Sequence, residues 1–188
     1  RLGEYLNMNK KWGILELLRY SRHDWLNKIQ LIKGNLELGK PDEVKAIIDQ
    51  LVNDAKNEAE LSNLNMPKMA EFLITGNWKK FPFALDYEIL NVSKGCHFID
   101  EYVYNWTVKF INTLIPLLDS FGENELKITI YGSGNYIRFT YDLQGKLKEE
   151  KEMALFLKNS PSLAVLSIIS FTEAELVFDL VCPCQTFL

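Results

Sequence analysis

The chain has no uninterrupted apolar run of about 18 residues, and no charged-then-apolar leader opens it. Neither a membrane span nor export is therefore expected. A basic excess is missing too: the net charge is -4, with ten Lys/Arg against ten Asp/Glu in residues 1–65 and eleven against fifteen in residues 66–188. Nucleic-acid binders concentrate positive charge, so no nucleic-acid partner is expected. Cysteine is scarce. Cys96, Cys182 and Cys184 are odd in number and without framework-like spacing, so unpaired thiols in a reducing cytoplasm are expected. Cys182 and Cys184 flank Pro183 but have no second Cys/His pair nearby to complete a four-ligand metal site. Glycine is absent after Gly145, and histidine occurs only at His23 and His97. The sequence opens on Arg1 rather than methionine, which leaves open a trimmed N-terminal segment.

What is present is enough for a packed core: 188 residues, 47% hydrophobic and 12% aromatic. Residues 4–38 read as one helix, with Leu15, Leu18, Leu26, Ile29, Ile32 and Leu36 on one face. Gly39 ends it, and Pro41, Asp42 and Glu43 suit the first turn of a second helix that runs to about Leu64. So short a connection makes the two helices antiparallel. Two helices alone cannot enclose a core. Pairing of two hairpins into a dimeric four-helix bundle is the economical solution, and packing on the rest of the same chain is the competing one.

From Met66 the pattern turns to mixed α and β. It predicts a helix over 67–80, a strand over 83–91, and a helix over 99–121 that Pro116 kinks or ends. Strands over 125–131 and 136–142 are joined by Gly132-Ser133-Gly134-Asn135, followed by a helix over 149–159 and strands over 163–171 and 175–181. The expected fold class is α+β: a helical hairpin over 1–65, then an α/β sandwich over 66–188 with a largely antiparallel sheet and helices on one face.

The chemistry concentrates at Arg22-His23-Asp24, followed by Asn27-Lys28. At about 100° per residue, His23 lies in a mostly polar stripe with Asn27, Gln30 and Arg19, about 120° from the centre of the apolar stripe. It is therefore expected to be exposed. Phosphoryl transfer to imidazole needs a neutral ring nitrogen, nearby positive charge and room for the donor. Arg22 and Lys28 are close enough in sequence to supply charge, and Asp24 to orient the ring or accept a proton. The same charges could simply solvate a bundle surface.

The segment from Arg22 through Leu36 resembles the histidine segment of the sporulation initiation phosphotransferase B family of spore-forming bacteria, and similar wording occurs in citrate- and dicarboxylate-sensing histidine kinases. The likeness extends through Asp54-Ala55-Lys56, Leu61-Ser62-Asn63-Leu64, Phe72-Leu73 and Asn77-Trp78-Lys79. It implies a cytoplasmic homodimer whose bundle carries a phosphorylated His23, with Arg22, Asp24, Asn27 and Lys28 as motif neighbours. The second domain would resemble a degenerate histidine-kinase ATPase domain. His23 would take a phosphoryl group from the aspartyl phosphate of one response regulator and pass it to the aspartate of a second, sporulation-controlling one. No cofactor of its own is implied; Mg²⁺ would come with the regulator.

The second domain separates this reading from an active kinase. Where such kinases carry a metal-binding asparagine, this helix offers Pro116 or Leu117, with Asn112 a turn earlier. The segment Tyr141-Asp142-Leu143-Gln144-Gly145 has too few glycines for an Asp-x-Gly-x-Gly adenine turn, and a glycine-rich lid after Gly145 is impossible. No productive ATP binding is expected. The rivals are an active sensor kinase or a fragment of one, and a non-catalytic dimeric scaffold that sequesters regulators. Elsewhere His97 reads as a loop or packing residue, Ser133 lies in a hairpin rather than a nucleophile elbow, and Trp12, Trp25, Trp78 and Trp106 read as packing residues.

Overall fold

A computed structural model describes residues 13–92, 96–119, 122–159 and 162–184. The chain divides into two compact units, one over residues 7–58 and one containing residues 59–188. The start of the first expected helix, residues 4–12, and Trp12 with it, lie outside the described residues.

The first unit is a helical hairpin. Helix α1 spans Ile14–Glu37 and α2 spans Pro41–Asn63. The turn between them is a Schellman cap: Lys40 N–H donates to the Asn35 carbonyl and Gly39 N–H to that of Leu36, at 2.9 and 3.1 Å. The closure needs a left-handed residue, which Gly39 supplies at φ 67°. Pro41 then occupies the first position of α2, where its missing N–H costs no helical bond. Along α2 the inner positions are Val44, Ile47, Leu51 and Asp54, at the three- and four-residue spacing of one helix face.

The second unit begins near the end of α2, where Leu61 in its last turn and Leu64 just beyond it are buried. Its elements are α3 (Pro67–Thr75), a 3₁₀ turn (Gly76–Lys79), β1 (Ala84–Leu90), a second 3₁₀ turn (His97–Ile99), α4 (Asp100–Leu117), β2 (Glu125–Ser133), β3 (Tyr136–Gln144), α5 (Glu150–Lys158), β4 (Val165–Phe171) and β5 (Glu175–Pro183). Helix α4 stops one residue past Pro116, as expected from proline's missing donor. The β2–β3 turn is tighter than the sequence suggested. Gly132 and Ser133 remain paired with Ile137 and Tyr136, leaving Gly134-Asn135 as a two-residue turn.

The five strands form one sheet in the order β1-β2-β3-β5-β4. Strand β1 runs parallel to β2, while the other neighbours are antiparallel. The β1-to-β2 connection through α4 is what makes that pair parallel, since a crossover helix returns the chain to the same end of the sheet.

Period-two alternation decides which face is covered. Leu126, Ile128 and Ile130 of β2, Ile137, Phe139, Tyr141 and Leu143 of β3, and Leu176, Phe178, Leu180 and Cys182 of β5 are all buried on one face. Trp106 and Phe110 of α4 pack on this face: Trp106 meets Tyr141 edge-on at 5.5 Å, and Phe110 meets Phe178 at 5.1 Å. The Tyr141 hydroxyl, taken out of water, bonds the Thr107 hydroxyl at 2.6 Å, and burial pushes its pKa up. The opposite face is polar, with Lys127 paired to Glu88 and Arg138 to Asp179.

A buried carboxylate joins the helices. Asp100, 3% exposed in the first turn of α4, accepts backbone N–H bonds from Lys68 and Met69 at the start of α3, both at 2.9 Å. These two donors have no partner inside their own helix, and a carboxylate also complements the positive end of the helix dipole. The cap thus comes from 31 and 32 residues downstream.

The structure corrects the expectation about cysteine. Cys96 and Cys184 form a disulfide with Cα atoms 5.3 Å apart, while Cys182 is a buried free thiol. Odd number and irregular spacing gave no sign of this pairing, because the partners stand 88 residues apart and only the sheet brings them together.

Replacing Asp100 by alanine leaves the buried Met69 N–H and the part-buried Lys68 N–H without their acceptor and should destabilise the α/β unit by about 2 kcal/mol. Urea unfolding of Asp100→Ala should show a lower midpoint with an unchanged slope, and an unchanged midpoint would refute the capping role.

Candidate phosphoryl-carrier site

The α1 helix presents three faces about 120° apart. One meets α2: Lys28 Nζ donates to Asp54 Oδ2 at 2.8 Å, and Gln50 supports the same carboxylate at 2.9 Å. A second carries Leu15, Leu18, Leu26, Ile29 and Leu36, each more than half exposed. His23 stands on the third, between the other two. No residue of α1 is buried.

His23 is well exposed, with 71% of its side-chain surface free. Asn27 lies one turn on, its amide nitrogen 3.2 Å from His23 Nδ1. Asp24 Oδ1 is 3.6 Å from the same nitrogen, too long for a hydrogen bond but within electrostatic reach. Two tautomers fit these neighbours. With the proton on Nε2, Nδ1 accepts from the Asn27 amide; with the proton on Nδ1, a flipped Asn27 presents its carbonyl oxygen and Asp24 faces an N–H. The second state leaves the Nε2 lone pair as the nucleophilic position.

The expected constellation is only partly gathered. His23, Asp24 and Asn27 come together, and Arg22 is exposed beside them. Lys28 does not join them. Its position, about 140° around the helix from His23, turns it into the α1–α2 seam, where Asp54 holds it. Arg19, absent from the expected site, occupies the better place for a cation. Helical side chains lean toward the N-terminus, so His23 lies over the turn that carries exposed Arg19 four residues earlier. The i to i−4 spacing was available in the sequence. Asp54 was not readable as the Lys28 partner, since that pairing depends on how the hairpin closes.

In the α/β unit, the segment compared with an adenine-binding turn is regular strand up to Gln144. Tyr141, Asp142, Leu143 and Gln144 pair with β2 on one side and β5 on the other, and Tyr141 and Leu143 are buried. Asn112 is half-buried in α4, and its side-chain oxygen has no hydrogen-bond partner. Among the described residues no cluster of three or more His, Cys, Asp or Glu is placed to hold a metal ion, and no helix is long and apolar enough to cross a membrane.

The Lys28–Asp54 pair is 40% and 36% exposed on its two sides, so its coupling should be small, below about 1 kcal/mol. A double-mutant cycle of Lys28→Ala and Asp54→Ala, read by thermal or urea unfolding, should return that value and lose most of it in 1 M salt.

Residues 4–64 match the family model "Sensor_kinase_SpoOB-type, alpha-helical domain", and residues 65–183 match "Sporulation initiation phospho-transferase B, C-terminal". Sporulation initiation phosphotransferase B of Bacillus subtilis (strain 168) is 39% identical over 117 residues. That match covers 62% of this chain and spans 61% of the relative's length. Among solved structures, the Acinetobacter baumannii histidine kinase AdeS aligns at 11% identity and TM-score 0.42, covering 87% of this chain and 98% of that one. The blue-light activated histidine kinase of Erythrobacter litoralis aligns at 11% identity and TM-score 0.43, covering 93% of this chain and 61% of that one. With a helical hairpin that exposes His23, an α/β unit, and a family match over well more than half its length, the chain belongs to the sporulation initiation phosphotransferase B family.

Proposed function

We propose that this protein is a phosphorelay phosphotransferase of a sporulation pathway. It takes a phosphoryl group from the aspartyl phosphate of one response regulator onto His23 and passes it to the aspartate of a second, sporulation-controlling regulator. The observation that carries this reading is the placement of His23: exposed, with a hydrogen-bonding amide and a carboxylate at one ring nitrogen and open access to the other. Membership of the family supports it, and supports a cytoplasmic setting.

In the first transfer, Nε2 attacks phosphorus while the bond from phosphorus to the donor carboxylate oxygen breaks. The carboxylate leaves with the electron pair, and the new N–P bond makes the ring a cation that keeps its Nδ1 proton. Asp24 stabilises that charge, and Asn27 holds the ring by accepting from Nδ1–H. Arg19 and Arg22 are placed to meet the transferred oxygens. The second transfer reverses these events: the acceptor carboxylate attacks, the N–P bond breaks, and the neutral ring is restored. Both links are high in energy, so alignment dominates the rate. Mg²⁺ would come with the regulator's acidic pocket.

The unburied apolar surface of α1 supports a homodimer. Two hairpins joined along Leu15, Leu18, Leu26, Ile29 and Leu36 would form a four-helix bundle and leave both His23 rings outward. Burial would also cover Trp25, which is 54% exposed. The strand pairing on both sides of Asp142 supports the absence of autokinase activity, since a segment bonded to two neighbours cannot wrap a nucleotide.

Incubation with a phosphorylated donor regulator tests the transfer directly. The wild type should carry acid-labile label and His23→Gln none; equal label on both, or none on either, would overturn the proposal. Labelling by ATP alone at His23 would favour a kinase instead. Asn27→Ala should slow transfer by about tenfold, the worth of one hydrogen bond of about 1.4 kcal/mol. Sedimentation should give a dimer at micromolar concentration, and Ile29→Glu should yield monomers; a stable wild-type monomer would refute the shared bundle.

A further inference from the structure

The disulfide stands at one rim of the α/β unit. Cys184 lies just beyond β5 and keeps the parity of Leu176, Phe178, Leu180 and Cys182, the buried side of that strand. Its backbone N–H donates to the Asn135 carbonyl at 2.9 Å, which continues the β3–β5 register past Tyr136 and Pro183. Cys184 is therefore held by the sheet itself. Cys96 is held differently: it precedes the 3₁₀ turn His97–Ile99, whose Ile99 N–H bonds back to the Cys96 carbonyl at 3.1 Å. That turn leads straight into Asp100, the carboxylate that caps α3. The covalent link thus fastens the residues that position the Asp100 cap to the end of the sheet.

We propose that Cys96 and Cys184 are a reversible redox modification site, a dithiol that a small-molecule disulfide of the glutathione type closes and excess thiol reopens. Its state sets how firmly the start of α4, and through Asp100 the start of α3, is held. Cys184 is the half-buried member and Cys96 the buried one, at 2% exposure, so Cys184 is the point of entry. Its thiolate attacks the small disulfide, forming a mixed disulfide and releasing one thiol. The Cys96 thiolate then attacks the Cys184 sulfur, forming the protein disulfide and releasing the second thiol. Two protein thiols are oxidised, one small disulfide is reduced, and the two protons pass to the released thiols. Cys182 does not compete. It is fully buried in the core, and burial pushes its thiol up to about 12, so it stays protonated and inert.

In a reducing compartment such pairs are transient and serve as sensors. The open dithiol is then the resting state, and the closed form records oxidation. This inference does not rest on the carrier role of His23.

The test uses the full chain equilibrated in glutathione buffers from fully reduced to fully oxidised, trapped with an alkylating reagent and read by peptide mass spectrometry. A Cys96–Cys184 link should appear with oxidation and reverse in excess thiol, with Cys182 alkylated only after denaturation. The oxidised form should melt higher by roughly 5–15 °C, because the link closes a long loop. Hydrogen exchange at residues 67–70 and 96–104 should slow on oxidation. Cys96→Ser and Cys184→Ser should each match the reduced wild type and lose the redox response, while Cys182→Ser keeps it. If either serine variant fails to fold, the reduced and oxidised wild type still give both readouts. No link at any ratio, stable glutathione adducts in its place, or a link that leaves melting and exchange unchanged would overturn the proposal. His23→Gln should respond as the wild type does, so failure here and failure of phosphotransfer remain distinguishable.

Discussion

Apolar surface that a helix cannot bury constrains this molecule more than any single bond does. In α1, 24 residues long, no side chain is buried, although leucines and isoleucines recur along it at helical spacing. At about 25 cal/mol per Å² of apolar area removed from water, even partial burial of such a stripe is worth several kcal/mol. The hairpin's own seam takes another face, about 120° around the helix, and is partly polar, centred on Lys28 and Asp54. The exposure of His23 descends from that division. A ring on the third face is left outside both the seam and the apolar stripe.

The α/β unit is organised by the other periodicity. One sheet face is apolar at every second residue and is covered by α4 through Trp106 and Phe110, while the other keeps its charges in water. On the covered side the buried hydroxyls of Tyr141 and Thr107 satisfy each other. Asp100 goes further, spending a buried carboxylate on the first turn of a different helix. The rim at which Asp100 sits is also where Cys96 meets Cys184. Covalent, capping and sheet contacts therefore converge at one end of the unit, the end from which α3 and α4 both start.

Much of this was legible in the residues. The 3.6-residue period of α1 and α2, Gly39 with Pro41 at the turn, and the alternation in β2, β3 and β5 each express a local rule acting over one or two turns. The histidine's exposure followed from the same helical geometry. What could not be read were the contacts made at a distance. Lys28 looked like a phosphate ligand until the hairpin turned it toward Asp54. Asp100 looked like an ordinary first-turn acid, and the cysteines looked unpaired.

By itself the sequence determined the order and type of the elements, the face on which His23 stands, and a family likeness strong around residues 20–80. Each of these is set by backbone periodicity or by residues adjacent in the chain. Tertiary structure alone decided that β1 lies parallel to β2, that Asp100 caps α3, that Lys28 belongs to a seam, and that Cys96 reaches Cys184. Those outcomes depend on separations of 26 to 88 residues, over which no local pattern specifies a partner. Only the closing of the hairpin and the pairing of the sheet bring such residues within bonding distance.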